Sequence, residues 1–198
     1  VREVSVASPV GPDSTSCVLA LAPLPANETV FLHLELSAGR RVLESNTYWL
    51  RADMDVMDWP NSTFYNVPIL RYADLSALQA LPATQVRATA VRTPPAEAEA
   101  VPPGAEHATL HTSVELRNVG RALAFGVEVQ LLVGGTPVLP VFWSDNYVAL
   151  PAGSPPLVLT ARYSAADLEA AARAAGVPDP AAAVPEVVVT GWNIELLR

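Results

Sequence analysis

Period-two alternation of apolar and polar residues dominates this chain. Across Thr29–Ser37, Val30, Leu32, Leu34 and Leu36 alternate with Phe31, His33 and Glu35, the pattern of a half-buried strand. Val1–Ala7, Ser16–Leu21 and Arg41–Leu50 give three further strand candidates in the first part of the chain. Beyond Gln85 the spacing predicts strands over Gln85–Arg92, Ala108–Asn118, Ala122–Val133, Pro137–Trp143, Tyr147–Leu150, Pro156–Tyr163 and Glu186–Leu197. Turn signals at Asn118-Val-Gly120, Gly134-Gly135 and Pro151-Ala-Gly153 separate them. A single helix is expected over Ala165–Ala175, with Ser164 as N-cap and Gly176 and Pro178 closing it. Its apolar face is mostly alanine, so it should pack closely against the sheet.

The pattern divides near Leu81-Pro-Ala-Thr-Gln85, giving expected domains at 1–83 and 84–198. An immunoglobulin-like sandwich needs about seven strands. The second domain reaches that number, and the first, with four, is expected to be the closing part of a sandwich that begins further upstream. Pro94–Gly104, rich in proline, alanine and glutamate, reads as a loop. The expected fold class is all-β: two immunoglobulin-like sandwiches in tandem, the second with one short helical insertion.

Composition narrows the function. Hydrophobic residues make up 51% of the 198 positions and charged residues 16%, which suits a packed core rather than disorder. The formal charge is −8, and with no lysine in the chain its positive charge comes from arginine. That balance argues against a nucleic-acid partner, because phosphate neutralisation needs a basic patch. No apolar run approaches the length of a membrane span, and the first residues are not a signal peptide. A chain starting at Val1 rather than Met is expected to be a processed or truncated product. Cys17 is alone, so no internal disulfide forms. Asn27-Glu-Thr29 and Asn61-Ser-Thr63 are glycosylation sequons.

Candidate chemistry is sparse. Asp53-Met-Asp-Val-Met-Asp58 has alternating carboxylates, but it lacks the mid-loop glycine and closing glutamate of a familiar calcium loop. Two of these carboxylates as a glycosidase pair would need a cleft that pushes their pKa values apart, which an isolated loop does not offer, so the segment reads as a structural turn or an interdomain contact. His33, His107 and His111 form no ligand set: on a strand, His107 and His111 would lie about 13 Å apart, too far for one zinc ion. No metal and no cofactor is expected. The polar cluster Trp143-Ser-Asp145-Asn146-Tyr147 sits between two apolar runs, where strand patterning does not require it. Three readings apply to it. Trp143 and Tyr147 pack in or beside the core while Asp145 and Asn146 satisfy a tight turn; the cluster meets a neighbouring domain; or its aromatic faces and amides hold a sugar. Trp59, after the acidic loop, is a candidate surface anchor, whereas Trp49 is expected to fill the first sandwich core and Trp192 to pack where it closes the last strand.

Three blocks carry a family resemblance. The first is Glu44-Ser-Asn-Thr-Tyr-Trp-Leu50 with Asp55-Val-Met-Asp-Trp59; the second is Tyr72-Ala-Asp-Leu-Ser-Ala-Leu78 with Leu81-Pro82; the third is Val138–Leu150 with Val187-Val-Val-Thr-Gly-Trp-Asn193. In this order and at these separations they resemble the C-terminal immunoglobulin-like domains of glycoside hydrolase family 2, in the branch of exo-β-D-glucosaminidases and their β-mannosidase relatives. The resemblance implies a secreted, retaining parent enzyme in which further sandwiches and a TIM barrel precede this chain. The barrel would carry both catalytic carboxylates. No catalytic residue maps onto these positions, so this chain alone is not expected to be an enzyme. Its expected partners are the upstream domains of the same polypeptide and a β-linked amino-sugar oligosaccharide. Its expected role is domain packing and support of the barrel, and the alternative is a free-standing carbohydrate-binding or adhesion module.

Overall fold

A computed structural model describes residues 4–5, 10–39, 41–92 and 108–197. The chain is all-β, with one α-helix among the described residues, and forms two compact units, 1–78 and 79–198.

The first unit holds two antiparallel pairs. β1 (Val30–Ala38) and β2 (Arg41–Leu50) form a hairpin in which Val30 faces Leu50 and Ala38 faces Arg41, with Gly39 in the left-handed region at the turn. Two-residue hairpin turns need a positive φ, which glycine adopts without Cβ strain. His33 Nδ1 and Thr47 Oγ1 meet across this pair at 2.8 Å. β3 (Val56–Met57) pairs with β4 (Ile69–Arg71), and neither strand was predicted. The strand expected over Ser16–Leu21 is instead irregular chain with Val18, Leu19 and Leu21 exposed, because no described edge pairs with its backbone groups. The strand expected over Val1–Ala7 falls largely outside the described residues, as do His107 and the loop expected over Pro94–Gly104.

The second unit is a two-sheet sandwich. One sheet has the order β13-β5-β6-β11-β9, from β5 (Thr84–Arg92), β6 (Thr109–Asn118), β9 (Phe142–Trp143), β11 (Leu157–Ser164) and β13 (Ile194–Leu197). β13 runs parallel to β5 and every other pairing is antiparallel. The facing sheet centres on β7 (Ala124–Val133). It is flanked by β12 (Glu186–Thr190) on one side and, on the other, by β10 (Val148–Leu150) and the short β8 (Thr136–Pro137). Alternation sends Val114 and Leu116 of β6, Leu159 of β11, Val127 and Val129 of β7, and Val148 and Leu150 of β10 into one buried cluster between the sheets. Full burial of each such side chain contributes about 1.5–3 kcal/mol.

Two expected strands are each two strands that change sheets. Pro137–Trp143 breaks at Pro140, which has no N–H to give a ladder, so β8 pairs with β7 in one sheet and β9 with β11 in the other. Glu186–Leu197 breaks at Gly191-Trp192-Asn193, so β12 pairs with β7 and β13 with β5. The helix α1 (Ala165–Ala174) forms where the sequence placed it. Ser164 Oγ accepts from the Asp167 N–H at 3.0 Å and donates to Asp167 Oδ2 at 2.6 Å. Ala171, Ala172 and Leu168 are buried in a second cluster with Leu131, Val133, Val138 and Tyr163. Small side chains let the helix approach closely: a Cβ at Gly134 would lie 2.9 Å from the Ala175 Cβ. Tyr163 Oη and Thr112 Oγ1, both buried, share a hydrogen bond of 2.9 Å.

Candidate functional site

The polar cluster after β9 resolves into separate roles. Trp143 is half-buried and packs against both core clusters, joining them. Asp145 Oδ1 accepts from the Asn146 N–H at 2.7 Å and so fixes the turn. Asn146 reaches further: its Oδ1 accepts from the Val129 N–H at 2.8 Å and its Nδ2 donates to the Val129 carbonyl at 2.9 Å. On this edge β10 pairs with the start of β7 and β8 with its end. The Asn146 amide fills the interval between them, acting as one residue of a missing strand, because a carboxamide carries the same acceptor and donor as a peptide.

Two other asparagines do similar work. Asn118, buried at the end of β6, donates through Nδ2 to the Ala122 and Leu150 carbonyls and accepts at Oδ1 from Thr84 Oγ1 and the Gly120 N–H. Asn193, at the second sheet change, accepts from the Phe125 N–H and donates to the Pro82 and Leu123 carbonyls. Sequence reasoning did not single out Asn118 or Asn193. Asparagine two residues from a glycine reads as a turn whether or not its side chain crosses to another element.

Tyr147 sits apart from its neighbours. Its backbone lies in the left-handed region, φ 56°, which a bulky residue rarely adopts. Its side chain is 68% exposed, and its hydroxyl donates to Glu128 Oε1 at 3.0 Å. That bond to a carboxylate, together with its negative charge, raises the Tyr147 pKa above 10.0 and keeps the phenol a donor. Trp192, expected to pack, does so on one side: its ring meets Phe125 edge-on at 6.4 Å between centroids, and 58% of it is exposed. Trp49, expected in a core, is 46% exposed on β2. On β2 alternation gives the side of the strand on which Trp49 lies but not whether another layer covers it, whereas Trp192 lies in the corner between β12 and β13, outside the alternation.

In the first unit Trp59 is 68% exposed, at the start of a 3₁₀ turn capped by Asp58, whose Oδ2 accepts from Asn61 Nδ2 at 2.7 Å. Phe64 and Tyr65, 96% and 93% exposed, stack edge-to-face at 5.1 Å. The acidic loop is a set of individual anchors. Asp53 pairs with Arg51 at 2.8 Å, Asp55 accepts from the Ala73 N–H at 2.6 Å, and Asp58 makes the cap. The Arg51 hydrogen bond holds Asp53 below the usual carboxylate range, and hydrogen bonds from Ser76 do the same for Asp74. Among the described residues, no three histidine, cysteine or carboxylate side chains are grouped to hold a metal, and no helix is long and apolar enough to cross a membrane.

Comparison with known proteins gives a consistent picture. Residues 64–194 match the family model of the exo-β-D-glucosaminidase Ig-fold domain. An exo-β-D-glucosaminidase of Streptomyces avermitilis is 35% identical over 188 residues, covering 92% of this chain and 18% of its own length. One from Amycolatopsis orientalis is 36% identical over 160 residues, 79% of this chain and 13% of its own. The crystal structure of the Amycolatopsis orientalis exo-chitosanase CsxA superposes with a TM-score of 0.66 at 32% identity, over 91% of this chain and 18% of that one. The chain thus spans less than a fifth of the length of these relatives. By its sandwich, its sequence and the extent of the match, the chain belongs to the exo-β-D-glucosaminidase Ig-fold domain family.

Proposed function

We propose that this chain is the non-catalytic C-terminal β-sandwich region of a larger retaining exo-β-D-glucosaminidase that acts on chitosan-type oligosaccharides, and that it packs against and supports the catalytic barrel. One observation carries the reading: relatives that match over nine-tenths of this chain are more than five times its length. The site chemistry agrees. Asn118, Asn146 and Asn193 are engaged by backbone groups, and the carboxylates of the 53–58 loop each have their own partner rather than sharing a cleft as a glycosidase pair does. The exposed Trp59, Phe64 and Tyr65 suit contact with the upstream domains of the same polypeptide. An extracellular location accompanies this reading, since polymeric chitosan is met outside the cell.

Two assays test it. Purified chain should release no p-nitrophenol from p-nitrophenyl β-D-glucosaminide, and an antibody against the chain should deplete that activity from its source. Turnover by the chain alone, or activity untouched by depletion, would overturn the proposal. The same exposed aromatics also favour a free-standing carbohydrate-binding module, which unaffected activity would select.

A further inference from the structure

We infer that the outer face of the β10-β7-β12 sheet is a binding shelf for a cationic, β-linked amino-sugar chain, with Tyr147 and Trp192 as its aromatic margins and Glu128 as its ammonium acceptor. On β7, Val127 and Val129 enter the core, so alternation turns Glu128 and Gln130 outward. Tyr147 approaches from the β10 side and bonds Glu128. Trp192 follows β12 on the opposite side, where its N–H bonds the Phe125 carbonyl and its ring covers Phe125, which belongs to neither core cluster. β7 lies between the two residues, so two strand spacings, roughly 10 Å, separate their backbones across the sheet, a width suited to a short oligosaccharide. Gly126, φ 59°, lies beside Trp192, with the position of a Cβ 3.9 Å from the Trp192 Cβ, and keeps the floor low.

The chemistry at the centre selects an amino sugar. Glu128 is half-buried, and its hydrogen bonds from Tyr147 Oη and Gln130 Nε2 (2.6 Å) both fall on Oε1. Oε2 is left for a ligand, and no arginine is ion-paired with Glu128 among the described residues. An ammonium group donates to such a carboxylate by a charge-assisted hydrogen bond, whereas an acetamide meets it as a neutral group. Exposed aromatic rings bury the apolar face of a sugar while leaving its hydroxyls in water. The left-handed backbone of Tyr147, held by its N–H donating to Asn146 Oδ1 at 3.0 Å, places the phenol on Glu128. Strain kept at one exposed residue by its neighbours is characteristic of binding sites.

This inference rests on the proposed function for its ligand class, and the test keeps the two apart. The full chain, ¹⁵N-labelled, is titrated with glucosamine tetramer and, separately, with its N-acetylated counterpart. The expected result is saturable shifts confined to Glu128, Gln130, Tyr147 and the Trp192 indole, with the glucosamine oligomer binding about ten-fold more tightly. Glu128→Gln, which keeps the shape and removes the charge, abolishes that preference, and Tyr147→Ala weakens both ligands. No shift at millimolar glucosamine tetramer, shifts mapping elsewhere, or an unchanged preference in Glu128→Gln would overturn the shelf. Those results would leave the parent's glucosaminidase assignment standing, because that is decided by the depletion assay.

Discussion

Removing the Asn146 side chain gives the sharpest test of how this sandwich is held together. Asn146→Ala strips two partners at once from Val129, whose N–H and carbonyl bond the amide at 2.8 and 2.9 Å. Each backbone group left without a partner costs about 1–3 kcal/mol when buried, and partial access of water puts the sum near 2–3 kcal/mol. For a sandwich of this size the melting temperature falls by on the order of 10 °C. Asn146→Asp is more telling. It retains an acceptor for the Val129 N–H but sets a second oxygen against the Val129 carbonyl, so at pH 7 it is at least as unstable as the alanine variant. Only the protonated carboxyl donates, so the folded state raises this group's pKa above its ordinary value of about 3.9. The stabilisation is therefore present at low pH and lost as pH rises through the folded pKa. Urea denaturation of wild type and both variants at pH 4 and pH 7, with amide exchange at Val129, measures this. An Asn146→Ala loss under 0.5 kcal/mol, or an Asn146→Asp deficit no smaller at pH 4, would refute the strand-mimic role.

Gly120→Ala places a Cβ 2.1 Å from Thr84 Oγ1 and 2.8 Å from the Gln85 nitrogen, a clash with backbone. Overpacking of this kind costs about 1–3 kcal/mol in chemical denaturation. Tyr163→Phe leaves the Thr112 hydroxyl buried without its partner, a loss of about 1–2 kcal/mol by the same assay. Arg51→Gln lets the Asp53 pKa rise towards 3.8, read by carboxyl NMR titration; the Arg51 pairing supports folding above the usual carboxylate range and is lost as pH falls through the lowered value. Glu128→Gln brings the Tyr147 pKa down towards 10.0 in an ultraviolet titration, since the carboxylate raises it.

The second unit was largely legible because its core is written in strict alternation. Val114 and Leu116, and Val127, Val129, Leu131 and Val133, recur every second residue and all are buried. The helix was equally plain from Ser164, the alanine run and Gly176. What alternation hides is the sheet to which a strand belongs. Pro137–Trp143 and Glu186–Leu197 read as single strands, yet Pro140 and the Gly191–Asn193 corner pass the chain from one sheet to the other. Nor does alternation show what covers a face, as Trp49 and Val18–Leu21 illustrate. Among the candidate residues, Asp145 acts within its own turn, a local relation that sequence conveys. Asn146 acts on Val129, 17 residues away, and Glu128 gains its interest only from Tyr147 across the strand pair.

The size of the native polypeptide tests the central claim most directly. An antibody raised against this chain, used on a denaturing gel of its source, should detect a species about five times heavier than 20.9 kDa, and that species should carry β-glucosaminidase activity when isolated under native conditions. A native species of 20.9 kDa without such activity would contradict the account and make the chain a free-standing module.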